Sequence, residues 1–174
     1  MDDARLLARC VQGDKVALAT LYDRHASSVF AYALRLVGER SAAEDVTQET
    51  FMALAGGVRF DPSRSFDAWL LTVTRNEAFD LLRRRKRRRE VPMEGGTDVA
   101  AAPSADPAAA EAVEWALRSV PAEFREALWL CDAMEMSYRE ASEVMGCEVG
   151  TVGSRVARGR QLLREQFARS GHAV

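Results

Sequence analysis

Residues 137–167 read SYREASEVMGCEVGTVGSRVARGRQLLREQF, and the pattern of this stretch decides the fold of the end of the chain. Ser137 is followed three residues later by Glu140, the spacing of a capping box that begins a helix. Gly146 ends this short helix, and apolar residues then recur at helical spacing over 149–168. These residues are Val149, Val152, Val156, Leu163 and Phe167. Two helices joined by a turn in this way predict a helix-turn-helix.

The opposite side of the second helix is polar. It carries Ser154, Arg155, Arg158 and Arg160. Arginine forms bidentate hydrogen bonds with guanine edges and strong contacts with phosphates, so this side is a candidate DNA-reading surface. An ordinary helical hairpin with a solvated arginine face has the same pattern, and the pattern alone leaves both interpretations open.

The remainder of the chain also follows helical periodicity. Helices are predicted at 4–12 before Gly13, at 15–37 before Gly38, from Ser41 to about Leu54 before Gly56-Gly57, and from near Ser65 into a basic run. Ser41 and Glu44 have the spacing of a second capping box. Two more helices are predicted at 108–119 and from Pro121 to about Met134. No segment has the alternation of a strand, so the predicted fold class is all-α.

A change of composition divides the chain. Residues 91–110, VPMEGGTDVAAAPSADPAAA, hold three prolines and a glycine pair without an aromatic residue, which is typical of a flexible linker. The predicted organisation is therefore a helical domain at 1–90, a linker at 91–110 and a helix-turn-helix domain at 111–174. Each domain is small and buries a modest core.

Composition excludes several classes of protein. The 174 residues contain no apolar run long enough to span a membrane, and the acidic start lacks the layout of a signal peptide, so a cytoplasmic protein is expected. Three separated cysteines and two histidines predict no metal site. No phosphate-binding loop and no nucleophile–base spacing is present, so neither an enzyme nor a cofactor is expected.

Two further segments have properties that suit nucleic acid, although the formal net charge is −2. Residues 83–89, RRRKRRR, form either a phosphate-binding track or a solvated charge run. Residues 60–76 combine a polar loop with an aromatic-bearing helix that could hold an unstacked base. Within this segment, Phe66 and Trp69 have the spacing of core residues rather than of a base platform.

These segments together resemble the extracytoplasmic-function (ECF) sigma factors of the sigma-70 family. EDVTQETF at 44–51 resembles the family's region 2.2. The family's regions 2.3 and 2.4 have similar counterparts here in FDAWL at 66–70, TRN at 74–76 and DLLRRR at 80–85. The family's region 4 has similar counterparts here in LRSVP at 117–121, MSYREA at 136–141 and VGTVGSR at 149–155. The segments follow the family's order and cover nearly the whole chain.

The resemblance implies a protein that binds core RNA polymerase, through the clamp helices of its largest subunit and its flap region, and promoter DNA. The residues matching the polymerase-docking face are Asp45, Gln48 and Glu49. Those matching the −10 site, where strands open, are Asp61, Ser63, Arg64, Ser65, Arg75, Asn76, Arg83, Arg84 and Lys86. Those matching the duplex −35 site are Thr151, Gly153, Ser154, Arg155, Arg158 and Arg160. The resemblance also implies restraint by an anti-sigma factor.

The chain departs from the family at two positions that face DNA. Gly153 stands where a basic residue is common, and Ala157 stands where a bulky one is common. Gly153 also lowers helix stability by about 1 kcal/mol relative to alanine. The alternative to a sigma factor is a free-standing helix-turn-helix regulator that uses the C-terminal domain alone and residues 1–90 for dimerisation or ligand binding.

Overall fold

A computed structural model of the chain describes residues 2–89, Leu117 and 120–170. Within these ranges the regular structure is helical and contains no strand, which confirms the predicted all-α class. The chain divides into two compact units, Met1–Ala100 and Ala101–Val174. The predicted linker at 91–110 lies outside the described residues, as does the predicted helix at 108–119 apart from Leu117. The domain boundaries therefore stay a prediction.

The first unit contains four described helices. They are α1 (Asp3–Val11), α2 (Lys15–Val37), α3 (Arg40–Ala55) and α4 (Phe66–Arg89). Helices α2 and α3 pack together, α4 packs against both, and α1 packs on α2 and α3. Their buried residues include Leu21, Leu54 and Leu70, each almost fully shielded from solvent.

The boundaries of α2 have clear physical causes. The Asp14 carboxylate accepts hydrogen bonds from the backbone N–H groups of Val16 (2.9 Å) and Ala17 (3.1 Å), which caps the first turn. Gly38 ends the helix with φ of 75°, a left-handed conformation that glycine adopts without steric cost. The predicted range 15–37 is confirmed.

The predicted capping box at Ser41 is wrong. Helix α3 begins at Arg40, one residue earlier, and no side chain caps it. Glu44 instead accepts a hydrogen bond from Arg40 Nε at 3.0 Å, and the Ser41 hydroxyl donates to Glu39 at 2.5 Å. The arginine, four residues before the glutamate, competes for the carboxylate that the capping box requires.

His25 joins three helices of the first unit. Its Nε2 lies 3.0 Å from Asp3 Oδ2 on α1, and its Nδ1 lies 3.3 Å from Asp67 Oδ1 on α4. The hydrogen bond with Asp67 and the neighbouring Asp3 raise the pKa of His25, although partial burial opposes this. The same bond lowers the pKa of Asp67. These two contacts of His25 therefore connect the first turns of α1 and α4 to α2.

The second unit contains three described helical elements. They are α5 (Ala122–Leu128), which continues as a π turn (Trp129–Ala133), α6 (Tyr138–Met145) and α7 (Val149–Ser170). The predicted capping box is present: the Ser137 hydroxyl accepts from Glu140 N (3.2 Å), and Glu140 accepts from Ser137 N (2.9 Å). Gly146 ends α6 with φ of 63°. The predicted helix-turn-helix is thus confirmed.

The apolar side of α7 packs on α5 and α6. Val152 and Val156 are fully buried, as predicted, but Val149 is 46% exposed because it is the first residue of the helix. Gly159 allows α5 to approach α7 closely, because it has no side chain. A Cβ atom there would lie 2.9 Å from Leu128 Cγ and 3.3 Å from the Phe124 carbonyl oxygen. A side chain at position 159 would therefore require Leu128 or the backbone of α5 to shift.

We predict that Gly159→Ala destabilises the second unit by about 1–3 kcal/mol, because the new methyl group overpacks the contact with Leu128. Gly153→Ala is the matched control. Its Cβ would lie 3.5 Å from the Tyr138 ring, an ordinary contact, so the gain in helix propensity should stabilise the unit by up to about 1 kcal/mol. Native-state hydrogen exchange of the α7 amides measures both. Equal protection in the two variants would contradict the packing described.

The His25 contacts predict a pH dependence of stability in the first unit. A folded-state pKa above the unfolded value of about 6.5 stabilises the fold fully below that value, and the stabilisation is lost as pH rises through the folded pKa. Raising pH from about 6 to about 9 should therefore lower the free energy of unfolding, and His25→Asn should flatten this part of the profile. The chain has two histidines, so NMR titration of wild type and variant assigns the His25 signal. A His25 pKa below its ordinary value would contradict the contacts of His25 with Asp3 and Asp67.

Candidate nucleic-acid interface

The loop before α4 has a defined shape and an exposed polar edge. Asp61 accepts a hydrogen bond from Ser63 N at 2.9 Å, a contact that lowers the pKa of Asp61. Trp69 Nε1 donates to the Arg59 carbonyl oxygen at 3.1 Å, which ties the loop to α4. Asp61, Ser63 and Arg64 are exposed and Ser65 is half-buried. The loop thus presents polar groups directly before the helix that carries Asn76.

The aromatic residues of this segment are packing residues. Trp69 is 6% exposed, and its ring centroid lies 5.0 Å from that of Phe60 and 5.5 Å from that of Phe66. Rings at these separations stabilise one another in the core. The interpretation of Phe66 and Trp69 as core residues is therefore confirmed over that of an open base platform.

The outer side of α4 carries the amide proposed from the sequence. Asn76 is exposed, so both its donor and its acceptor groups can reach a ligand. Arg75, beside it, places its guanidinium carbon 4.4 Å from the centroid of the Phe79 ring, which restricts the arginine to one side of the helix.

The basic run continues α4 to Arg89, but its cations differ in their contacts. Arg83 forms an ion pair with Asp80, and Arg85 donates to Glu39 at 2.7 Å. Lys86 and Arg87 are exposed at the surface. Among the described residues, carboxylates of the first unit therefore form ion pairs with some cations of the run and not with others. The sequence of seven consecutive cations does not reveal this difference.

Helix α3 has an exposed acidic face, formed by the three residues that match the polymerase-docking face of the family. Asp45, Gln48 and Glu49 are all exposed, whereas Val46 and Leu54 are buried. A groove between α2 and α3 borders this face, with Gln48 in its wall. Tyr22 and Met52, 48% and 56% exposed, also line it.

The groove was missed by the sequence analysis. Tyr22 lies at one of the apolar positions that recur at helical spacing along α2, yet 48% of its surface is exposed. Its ring centroid lies 4.9 Å from that of Phe51, which is buried. Leu18, Leu21 and Tyr22 have the i, i+3, i+4 spacing of one helix side, so the local pattern does not distinguish the half-exposed Tyr22 from the buried Leu21.

The helix-turn-helix presents α7 outward. Ser154, Ala157 and Arg158 are exposed, and Thr151, Gly153 and Arg155 are half-buried at the edges of the same face. The Tyr138 ring of α6 lies beside Gly153. On the other edge, Arg155 Nη1 lies 3.7 Å from Cys147 Sγ. The face carries small residues at positions 153 and 157.

Arg160 differs from the other arginines of α7. Its Nη2 lies 2.5 Å from Asp132 Oδ1, and its Nε lies 3.2 Å from Asp132 Oδ2. This bidentate pair joins α7 to the π turn. The sequence analysis grouped Arg160 with the DNA-facing arginines, and a partner 28 positions away gave no signal in the local pattern.

Other kinds of site are not found in the described part of the chain. Over residues 2–89 and 120–170, no group of three His, Cys, Asp or Glu side chains is placed to hold a metal ion. No helix in these ranges is both long and apolar enough to cross a membrane. Cys10 is buried, and burial raises the pKa of its thiol.

Two family models match the chain in order. Sigma-70 region 2 matches residues 21–88, and Sigma-70 region 4 matches residues 110–163. The first match covers α4 and the acidic face of α3, and the second covers the helix-turn-helix. The candidate surfaces therefore fall inside the two matched regions.

Curated relatives agree with these matches. The chain is 37% identical over 169 residues to the ECF RNA polymerase sigma factor SigE of Mycolicibacterium smegmatis, covering 90% of this chain and 65% of that protein. It is 40% identical over 144 residues to EcfG of Rhodopseudomonas palustris, covering 78% of this chain and 77% of the relative.

A solved structure has the same fold. The sigma factor RpoE of Bartonella quintana, determined in complex with the anti-sigma factor NepR, is similar with a TM-score of 0.75 and 31% identity, over 86% of this chain and 96% of that one. Both domain families occur here in the same order, and relatives above 30% identity match along most of their length. The chain belongs to the ECF group of sigma-70 family RNA polymerase sigma factors.

Proposed function

We propose that this chain binds core RNA polymerase and directs it to specific promoters, opening the strands at the −10 element and reading the −35 element as duplex. It acts in the cytoplasm, without an active site or cofactor of its own. The observation that carries the proposal is the presence of exposed polar surfaces, two on the first unit and one on the second, inside the two regions that match the family.

The polymerase-docking surface is assigned to α3. Asp45, Gln48 and Glu49 share one exposed side of a helix whose other side is buried. Carboxylates suit a basic partner surface and speed its association. The clamp helices of the largest subunit are the partner on this face, and the second unit contacts the flap region.

The −10 element is assigned to the loop 61–65 and the outer side of α4. A base taken out of the stack exposes its Watson–Crick edge, and the Asn76 amide offers both a donor and an acceptor to such an edge. Asp61, Ser63, Arg64 and Ser65 supply further polar groups, and Arg75 stands beside them. Arg83, Arg84 and Lys86 bind phosphates without reading sequence.

The −35 element is assigned to the outward face of α7. The first residues of a recognition helix contact base edges in the major groove, which places Thr151, Gly153, Ser154 and Arg155 toward the bases. Arg158 contacts a phosphate or a guanine edge one turn further along. We leave Arg160 out of this contact set because Asp132 already holds its guanidinium.

An anti-sigma factor is the proposed restraint on this activity. The RpoE protein of Bartonella quintana was determined with its anti-sigma factor, and this chain shares 31% identity with it. A partner of that class would cover the docking and DNA surfaces together. Promoter binding would then depend on its release.

We predict that Asn76→Ala and Arg158→Ala have opposite effects. Asn76→Ala should slow open-complex formation about fivefold, the effect of one lost hydrogen bond, and leave −35 affinity unchanged. Arg158→Ala should weaken binding to duplex promoter by about 1–3 kcal/mol, yet still permit transcription from a template already melted at −10. Permanganate footprinting of holoenzyme on duplex and pre-melted templates measures both.

Arg164→Ala is the control for the −35 assignment, because Arg164 is exposed on α7 and lies about two and a half turns beyond Arg155. It should bind duplex promoter nearly as wild type does. The −10 assignment is overturned if Asn76→Ala opens promoters with the wild-type rate and sequence preference. The −35 assignment is overturned if Arg164→Ala weakens binding as much as Arg158→Ala.

A further inference from the structure

The Arg160–Asp132 ion pair lies at the edge of the outward face of α7. Gly153, Ala157 and Arg160 occupy positions i, i+4 and i+7, so they share one side of the helix. The Arg160 side chain is 50% exposed and that of Asp132 is 39% exposed. Both charges are therefore accessible to a ligand bound on this face.

The geometry of the pair determines what Arg160 can do. Two nitrogens of the guanidinium fork, Nε and Nη2, point at the two oxygens of one carboxylate. This is the arrangement that arginine otherwise uses to bind a phosphate. The hydrogen bond and charge of Asp132 also raise the pKa of Arg160. A DNA phosphate and Asp132 would thus compete for the same donors.

We propose that Asp132 limits the sequence-independent DNA affinity of this sigma factor by withholding Arg160 from the phosphate backbone. The inference rests on the proposed function, since it concerns the same face of α7. Phosphate contacts strengthen binding to every DNA sequence alike. A carboxylate that occupies one arginine therefore weakens background binding and leaves base reading by the other residues intact.

The fold does not depend strongly on this pair. Exposed ion pairs contribute little to stability, because water screens them and two long side chains must be ordered. The core of the second unit is formed instead by Val152, Val156 and Leu130, which are fully buried. Asp132→Asn keeps the shape of the side chain and removes its charge, so this variant should fold normally.

The test measures holoenzyme affinity for promoter and non-promoter duplexes across a salt series. Asp132→Asn should bind both duplexes about tenfold more tightly at low salt, as expected for one added charge-assisted contact. The slope of log affinity against log salt should steepen by about 0.9, the value for one phosphate. The double variant Asp132→Asn/Arg160→Ala should return to the wild-type affinity and slope, because it removes the pair as a neutral unit.

Glu135→Gln is the control for a general change of charge. Glu135 is exposed in the turn three residues after Asp132, and its substitution adds the same net charge without releasing an arginine. Its salt slope should stay within about 0.3 of wild type, well below the value for one phosphate contact. An equal steepening in Glu135→Gln would show that net charge, rather than Arg160, causes the effect and would overturn the proposal.

Other outcomes also overturn it. Unchanged affinity in Asp132→Asn would mean that Arg160 gains no phosphate contact. Weaker affinity would mean that Asp132 orients Arg160 for DNA. Arg158→Ala, measured in the same series, separates this failure from failure of the proposed function: if Arg158→Ala also leaves promoter affinity unchanged, the assignment of α7 to DNA is itself wrong.

Discussion

The constraint on which the rest of this structure depends is that every helix must bury one side in a very small core. In the second unit, α7 inserts Val152 and Val156 between α5 and α6, and Gly159 brings α5 to within contact distance. Once these three positions face inward, the rotation of α7 about its axis is fixed. Ser154 and Arg158 then face outward without any further interaction. The outward orientation of the proposed DNA-reading face is therefore a consequence of core packing.

The first unit follows the same logic. Burial of Val46, Thr50 and Leu54 turns the acidic side of α3 outward, and burial of Leu70 and Val73 sets the outer side of α4. Ion pairs then determine which cations of these surfaces already have a carboxylate partner. Glu39 pairs with Arg85 and Asp132 pairs with Arg160, two arginines that the sequence alone offers as phosphate contacts. The effective cationic surface is therefore smaller than the sequence implies.

Sequence reasoning predicted the features that local physics determines. The range of α2, the capping box at Ser137 and the turn at Gly146 all follow from interactions within a few residues. Sequence reasoning failed where the partner of a side chain is distant in the sequence or where two groups compete for the same partner. The capping box at Ser41 lost its glutamate to Arg40. The exposure of Tyr22 depends on packing between helices, which the spacing along α2 does not reveal. The pairs Arg160–Asp132 and His25–Asp3 join residues more than 20 positions apart. The roles of individual site residues stay predictions, because they depend on partners.

The central claim is that the two units act together on core RNA polymerase rather than as independent DNA-binding modules. Run-off transcription from a randomised promoter library, with core polymerase alone and with core polymerase plus the full chain, tests this claim most directly. We predict discrete start sites that require the chain and that share sequence at both the −10 and the −35 positions. Start sites that do not depend on the chain, together with specific binding of the chain to duplex promoters without polymerase, would contradict it and identify a free-standing regulator.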